Sequence, residues 1–182
     1  MKQSSNQKLL WIFILAFFSF SCSSNLDFNQ VNDAKLEPVL LANLIYFDVP
    51  ANQFITNGIE LPVSQSESII DIFKDNSFNT SLKRADLFFE VNNTINRAYI
   101  LNIVMLDVNN FPLYAIQLNV PAYTGVENLV TKTEIFENTK LDLLKKTRKF
   151  AFTITMLAGP SLSETSLGSL KLRSSATAYL VL

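Results

Sequence analysis

Residues 82–92 read LKRADLFFEVN, and their alternation limits the fold more than any other feature of the chain. Ala85, Leu87, Phe89 and Val91 fall on one face of a strand and Arg84, Asp86, Glu90 and Asn92 on the other, because side chains along a strand alternate with a period of two. Phe88 interrupts the polar face and is expected to lie under a loop or a neighbouring strand. After a turn at 93–97, residues 98–108 carry Tyr99, Leu101, Ile103 and Met105 on one face. Ile100, Val104 and Leu106 make this strand apolar on both faces, which predicts a central place in its sheet. A turn at 107–112 leads to a third set, Tyr114, Ile116, Leu118 and Val120, ended by Pro121. Three successive strands with short polar turns predict a meander.

The flanking segments continue the β pattern. Residues 39–49 form an apolar run closed by Pro50. Asn57-Gly58 lies between Phe54-Ile55-Thr56 and Ile59-Glu60-Leu61, a strong hairpin signal because both turn residues tolerate positive φ. Residues 64–75 admit two readings. Ser64 and Glu67 have capping-box spacing, whereas a short strand through Ile70 and Ile72 suits the β-rich surroundings better. Residues 76–81 read as a polar turn. Leu129, Thr131, Thr133 and Ile135 form a weak strand face, and Leu141 and Leu144 have helical spacing within a short helix over 138–146. Phe150, Phe152, Ile154 and Met156 alternate inward. Leu170, Leu172, Ser174, Ala176, Ala178, Leu180 and Leu182 share the last face, which is expected to be tied into a sheet.

Together these segments predict an all-β fold, an antiparallel two-sheet sandwich of about eight strands with at most one or two short helices. From Ala85 to Pro121 the chain resembles the immunoglobulin-like domains of Bacteroidota lipoproteins. That likeness is one of style and implies no function.

A different signal occupies the first residues. Lys2 and Lys8 precede an apolar run from Leu9 to Phe20, with Ser19 and Ser21 just before Cys22, the only cysteine. This is the layout of a secretory signal, and the run falls short of the roughly 20 residues a membrane span needs. Ser19-Phe20-Ser21-Cys22 resembles the lipobox of bacterial lipoproteins, although Ser19 stands where leucine is usual and Phe20 where a small residue is. The resemblance implies that Cys22 is acylated, becomes the mature N-terminus and anchors the protein in the outer membrane. Several acyl chains on one residue would make that attachment stable. The alternative is an ordinary small-x-small cleavage site and a free Cys22 thiol. The expected organisation is a signal peptide over 1–21, a lipidated cysteine and tether over 22–37, and one sandwich domain over 38–182. The residues after Cys22, Ser23-Ser24-Asn25-Leu26-Asp27, lack the acidic cluster typical of surface-exported Bacteroidota lipoproteins. A periplasm-facing domain is therefore expected.

Composition argues against several chemistries. Residues 22–182 carry a net charge of −3 and no basic stripe, a poor match to nucleic acid. With no histidine in the chain, the usual general base and the usual zinc ligand are missing. The glycines Gly58, Gly125, Gly159 and Gly168 are too scattered for a phosphate loop. Asp86 and Glu90 share a strand face about 13 Å apart at the usual rise, beyond the roughly 5–9.5 Å of glycosidase pairs. Asp71 and Asp75 would stack only on a helix. Asp107, Asn109 and Asn110 offer calcium-compatible oxygens but read more simply as a turn. No catalytic, cofactor-binding or metal-ligating residue is assigned, and no cofactor is expected.

Two functional classes follow. One is a non-catalytic accessory, scaffold or binding module of the envelope, with the membrane and an envelope protein complex as partners and its small-molecule ligand unassigned. The other is an envelope glycan hydrolase whose carboxylates converge only in the fold. A flat apolar surface favours the first, and a concave site with two carboxylates the second.

Overall fold

The computed structural model describes residues 36–70 and 75–182. Cys22, the leader, the tether up to residue 35 and Asp71 lie outside the described residues. Eight principal strands build two four-stranded sheets, β1 (Val39–Pro50), β4 (Val63–Ile69), β5 (Leu82–Asn93), β6 (Tyr99–Leu106), β7 (Pro112–Val120), β8 (Leu129–Glu137), β9 (Lys149–Met156) and β10 (Ser169–Leu180). The minor hairpin β2 (Ile55–Thr56) and β3 (Ile59–Glu60) turns at Asn57 and Gly58, both at positive φ. Among the described residues the helices are α1 (Asn76–Ser81), α2 (Asn138–Lys146) and one 3-10 turn (Ala51–Phe54).

One sheet has the order β1-β10-β5-β8 and the other β4-β9-β6-β7, with every pairing antiparallel. The first principal strand pairs with the last, the second with the second-last, and so on inward to the β6–β7 hairpin. The chain is thus one long antiparallel ribbon rolled over itself, the order of a jelly roll. The sandwich is as the alternation predicts. The immunoglobulin-like likeness extends to that architecture but not to strand order, since immunoglobulin sheets seat the first two strands side by side and here β1 and β4 lie in different sheets.

The core confirms most of the predicted inward faces. Leu87, Phe89 and Val91 of β5, Leu101, Ile103 and Met105 of β6, and Phe150, Phe152 and Ile154 of β9 are buried between the sheets. Strand β6 is internal, between β9 and β7.

Four local expectations are corrected. The meander does not form, because β5 and β6 belong to opposite sheets; the turn at 93–97 crosses between layers instead of folding back. Asn93 fixes that crossing, its Nδ2 donating to the carbonyls of Arg97 and Pro121 while its Oδ1 accepts from the Ile95 amide. Residues 76–81 are helical, with Asp75 accepting from the Phe78 amide at 3.0 Å as the N-cap, the interaction that satisfies an otherwise orphaned amide. Strand β8 faces the other way from the expectation. Phe136 is buried beside half-buried Val130, Lys132 and Glu134, whereas Leu129, Thr131, Thr133 and Ile135 are exposed. Phe88 is not covered by a loop or a neighbouring strand, being 37% exposed on the outer face. Residues 63–69 take the strand alternative. That strand ends before Ile70, and Ile72 lies outside the described residues.

Candidate binding cleft on one flank of the sandwich

Strands β1 and β4 are the edges of their sheets on one flank, and β8 and β7 on the other. The two flanks are finished differently. At β7–β8 the Tyr114 hydroxyl donates to Glu134 Oε1 at 2.7 Å, Lys140 of α2 bonds the same oxygen, and its ammonium lies 4.6 and 4.7 Å from the Tyr114 and Phe136 ring centres. Tyr114 and Phe136 meet edge to face at 5.4 Å. Burial raises the Glu134 pKa, but hydrogen bonds from Lys140 and Tyr114 and the charges of Lys140 and Lys132 outweigh it and hold the carboxyl below its ordinary value. The same partnership raises Lys140 despite its burial. Helix α2 buries Leu141 and Leu144 under this staple.

The β1–β4 flank has no such staple among the described residues. Its inner wall is lined by Leu40, Ala42 and Leu44 of β1, Ile69 at the end of β4 and Ile70 just beyond it, and Phe78 of α1, with Leu82, Ala85, Leu87, Ala176 and Ala178 as the floor. These residues enclose a cleft of about 260 Å³. Small side chains create the space: where β10 carries Leu170 and Leu172 at one end of the sheet it carries Ala176 and Ala178 here, the latter opposite Ala85 of β5. The cleft runs from an exposed rim, with Leu40 at 46% and Ile69 at 68%, to a floor at Leu82 that is 1% exposed. Farther along the flank the gap narrows to a recess of about 130 Å³ beside Phe47, Val49, Phe152 and Ile154. There Phe47 and Phe152 meet edge to face at 6.3 Å across the two sheets.

A bulge between Asn43 and Tyr46 shapes the rim. It changes which residues of β1 face inward, from Leu40, Ala42 and Leu44 before it to Phe47 and Val49 after it. Ser174 supplies the bonds that the bulge interrupts, and a shallow recess of about 450 Å³ opens against Leu44, Ile45 and Arg173.

The polar residues singled out in the sequence do not gather here. Asp86 is held by Arg84 through bonds of 2.7 and 2.8 Å, with the Tyr179 hydroxyl at 3.4 Å. Glu90 stays on the same outer face, in register with Arg173 and Thr131. Asp75 caps α1. Asp107 Oδ1 accepts from the amides of Asn109 and Phe111, both at 2.8 Å, and Asn110 adopts positive φ, so the three calcium-compatible residues form a tight turn. The signal for the cleft was present in the sequence as Ala42, Ala85, Ala176 and Ala178. Only their convergence on one side of the sandwich gives it meaning.

The most connected ion pair is also structural. Arg97, 7% exposed, binds Glu60 with both terminal nitrogens and reaches the carbonyls of Leu157, Gly159 and Pro160. The Leu162 amide donating to Glu60 is the largest influence on that carboxyl, and with Arg97 it holds the pKa below the ordinary value against desolvation. Nearby, burial raises the Tyr99 phenol.

No family model and no curated protein matches this chain. Among solved structures, a protein of Parabacteroides distasonis described as secreted is similar at 14% identity and a TM-score of 0.45, over 64% of this chain and 37% of that one. The VP2 subviral particle of infectious bursal disease virus follows at 10% identity and 0.39, over 79% and 32%. Desmodium yellow mottle tymovirus reaches 10% identity and 0.34, over 81% and 84%. The chain thus spans about a third of the length of the first two. At these scores the likenesses add nothing to what the strand order already shows.

Proposed function

We propose that this protein is a non-catalytic binding module of the cell envelope, held in the outer membrane through lipidated Cys22, facing the periplasm, with the β1–β4 cleft as its binding surface. The observation that carries the reading is the contrast between flanks, one stapled by Tyr114, Glu134 and Lys140 and the other left as an apolar cleft of about 260 Å³. That volume lies just under the roughly 300–1,000 Å³ of drug-sized pockets. It suits a short acyl segment or one large apolar side chain of a partner. Among the described residues its walls carry no acid–base pair; of the carboxylates weighed for hydrolysis, Asp86 and Glu90 lie on an outer strand face and Asp75 caps α1.

The test is titration with an environment-sensitive apolar dye. Saturable binding is expected, and Ala42→Phe at the exposed rim should abolish it while leaving thermal melting within a degree or two. Absence of saturable binding, or equal binding by the filled variant, overturns the assignment of the cleft.

A further inference from the structure

We propose that the free edge of β1 is a self-pairing surface, on which a second copy of this chain adds its own β1 antiparallel about a two-fold axis at Leu41. This inference rests on the membrane anchoring proposed above, which the membrane pellet tests separately, and not on the cleft taking a ligand.

The argument begins with the four sheet edges. Strand β7 begins at Pro112 and is followed by Pro121, β8 carries Lys132, Glu134 and Glu137 under α2, and β4 follows Pro62 and presents Glu67 beside Lys149. Each carries a feature that discourages edge-to-edge pairing, either a charge or a proline. Strand β1 follows Pro38 and ends at Asp48 and Pro50, but its first half, Val39-Leu40-Leu41-Ala42-Asn43, holds a run of five residues with neither. Val39 is 56% and Leu41 75% exposed, and among the described residues no strand pairs with the far side of β1.

Hydrogen-bond direction then limits the register, and the two-fold at Leu41 uses all three outward-facing residues. The Leu180 amide donates to Pro38 and the Leu182 amide to Leu36, so the backbone groups of even-numbered residues here point toward β10. In an antiparallel ladder the direction alternates along the strand, so Val39, Leu41 and Asn43 present theirs to the free edge. A two-fold at Leu41 sets Leu41 opposite Leu41 of the second copy and Val39 opposite its Asn43, with all three pairs exchanging backbone bonds. Residues opposite each other point to the same face, so Leu40 meets Ala42 of the second copy on the inner side and the two clefts adjoin. The five residues carry no charge, and nothing repels across the axis. The bulge after Asn43 ends the match.

Five residues a side bury far less than the roughly 1,200–2,000 Å² of a stable complex. The dimer is therefore weak in dilute solution and belongs to crowded copies on a membrane surface. Register-specific crosslinking of the full chain in intact envelopes tests it, with the wild type and its single Cys22 as control. A hydrogen-bonded pair has Cα atoms about 5.5 Å apart, within disulfide reach. Under mild oxidation Leu41→Cys should give a disulfide dimer and the exposed control Leu167→Cys should not. Differently tagged Val39→Cys and Asn43→Cys chains expressed together should give the mixed dimer in preference to either homodimer. Adding Leu41→Lys to both should lower that yield a few-fold, up to about fivefold, since like charges directly opposite are destabilising. Equal crosslinking at positions 41 and 167 overturns the proposal. So does a Val39→Cys homodimer as abundant as the mixed one, or a Leu41 amide protected from exchange in a chain that never crosslinks, which points to an occupant from the same chain.

Discussion

Ser174 takes the place of a strand for Ile45. At the bulge in β1 its hydroxyl accepts from the Ile45 amide at 2.9 Å and donates to the Ile45 carbonyl at 2.9 Å, so one side chain on β10 satisfies both backbone groups that the interrupted ladder leaves over. Ser174 itself is 7% exposed. Ser174→Ala removes both bonds and leaves two half-buried polar groups unpaired, with an expected loss of about 1–3 kcal/mol. Urea unfolding measures it. Ser174→Thr keeps the hydroxyl and should recover part of the loss; if Ala and Thr unfold at the wild-type midpoint, the bulge is held by something else.

Arg97 gathers the hairpin and the 157–162 loop around one guanidinium. Lysine offers a point charge in place of a planar fork and cannot reach three carbonyls and a carboxylate together. Arg97→Lys is expected to lose most of what Arg97→Ala loses, about 1–3 kcal/mol, since Arg97 is buried but its Glu60 partner is part-exposed. Full retention by the lysine variant in thermal melting would show that charge alone suffices.

Backbone approach sets another constraint at Gly168. Its φ is +97°, and an added Cβ would lie 2.3 Å from the Thr94 carbonyl oxygen. Both the strain of a side chain at this φ and the clash act in the same direction, so Gly168→Ala should lower the melting temperature by several degrees. Gly125→Ala, also at positive φ but with open space around it, should cost less. Differential scanning calorimetry of the two variants separates clash from strain.

Glu134 and Glu60 make the fold acid-sensitive in a definite direction. Both carboxyls titrate below their ordinary value of 4.5 in the folded chain, so the unfolded chain binds protons first. Their stabilisation is fully present above pH 4.5 and is lost as pH falls through the folded values. Glu134→Gln should lower stability at pH 7 and flatten the decline in the acid range. A decline of unchanged steepness in the variant would assign the acid sensitivity to other groups.

Cys22→Ser tests the anchor. The variant is expected to leave the membrane pellet for the soluble fraction or to stall before processing, and the wild type alone is expected to incorporate a palmitate label. Protease added to intact cells should spare the wild type and degrade it only after the envelope is opened. Prompt loss from intact cells, with a periplasmic control protected, would place the domain outside.

Much of this protein was determined by sequence alone, and always where a rule is local. The period-two faces of β5, β6, β9 and β10 follow from which residues are apolar. The Asn57-Gly58 turn follows from φ, and α2 from the spacing of Leu141 and Leu144. Strand order does not follow, because pairing β1 with β10 joins residues more than a hundred positions apart and any alternating strand can pair with any other. Strand β8 departs from its sequence pattern for a related reason: its inward Glu134 is made tolerable by Tyr114 and Lys140 and its Lys132 by Glu134 and the Gln117 carbonyl, partners that only the closed flank brings together. The same holds for the candidate site. Four alanines on three strands attract no notice in the sequence, and they become a cleft only because the rolled ribbon sets them on one flank, where no described residue fills their missing volume.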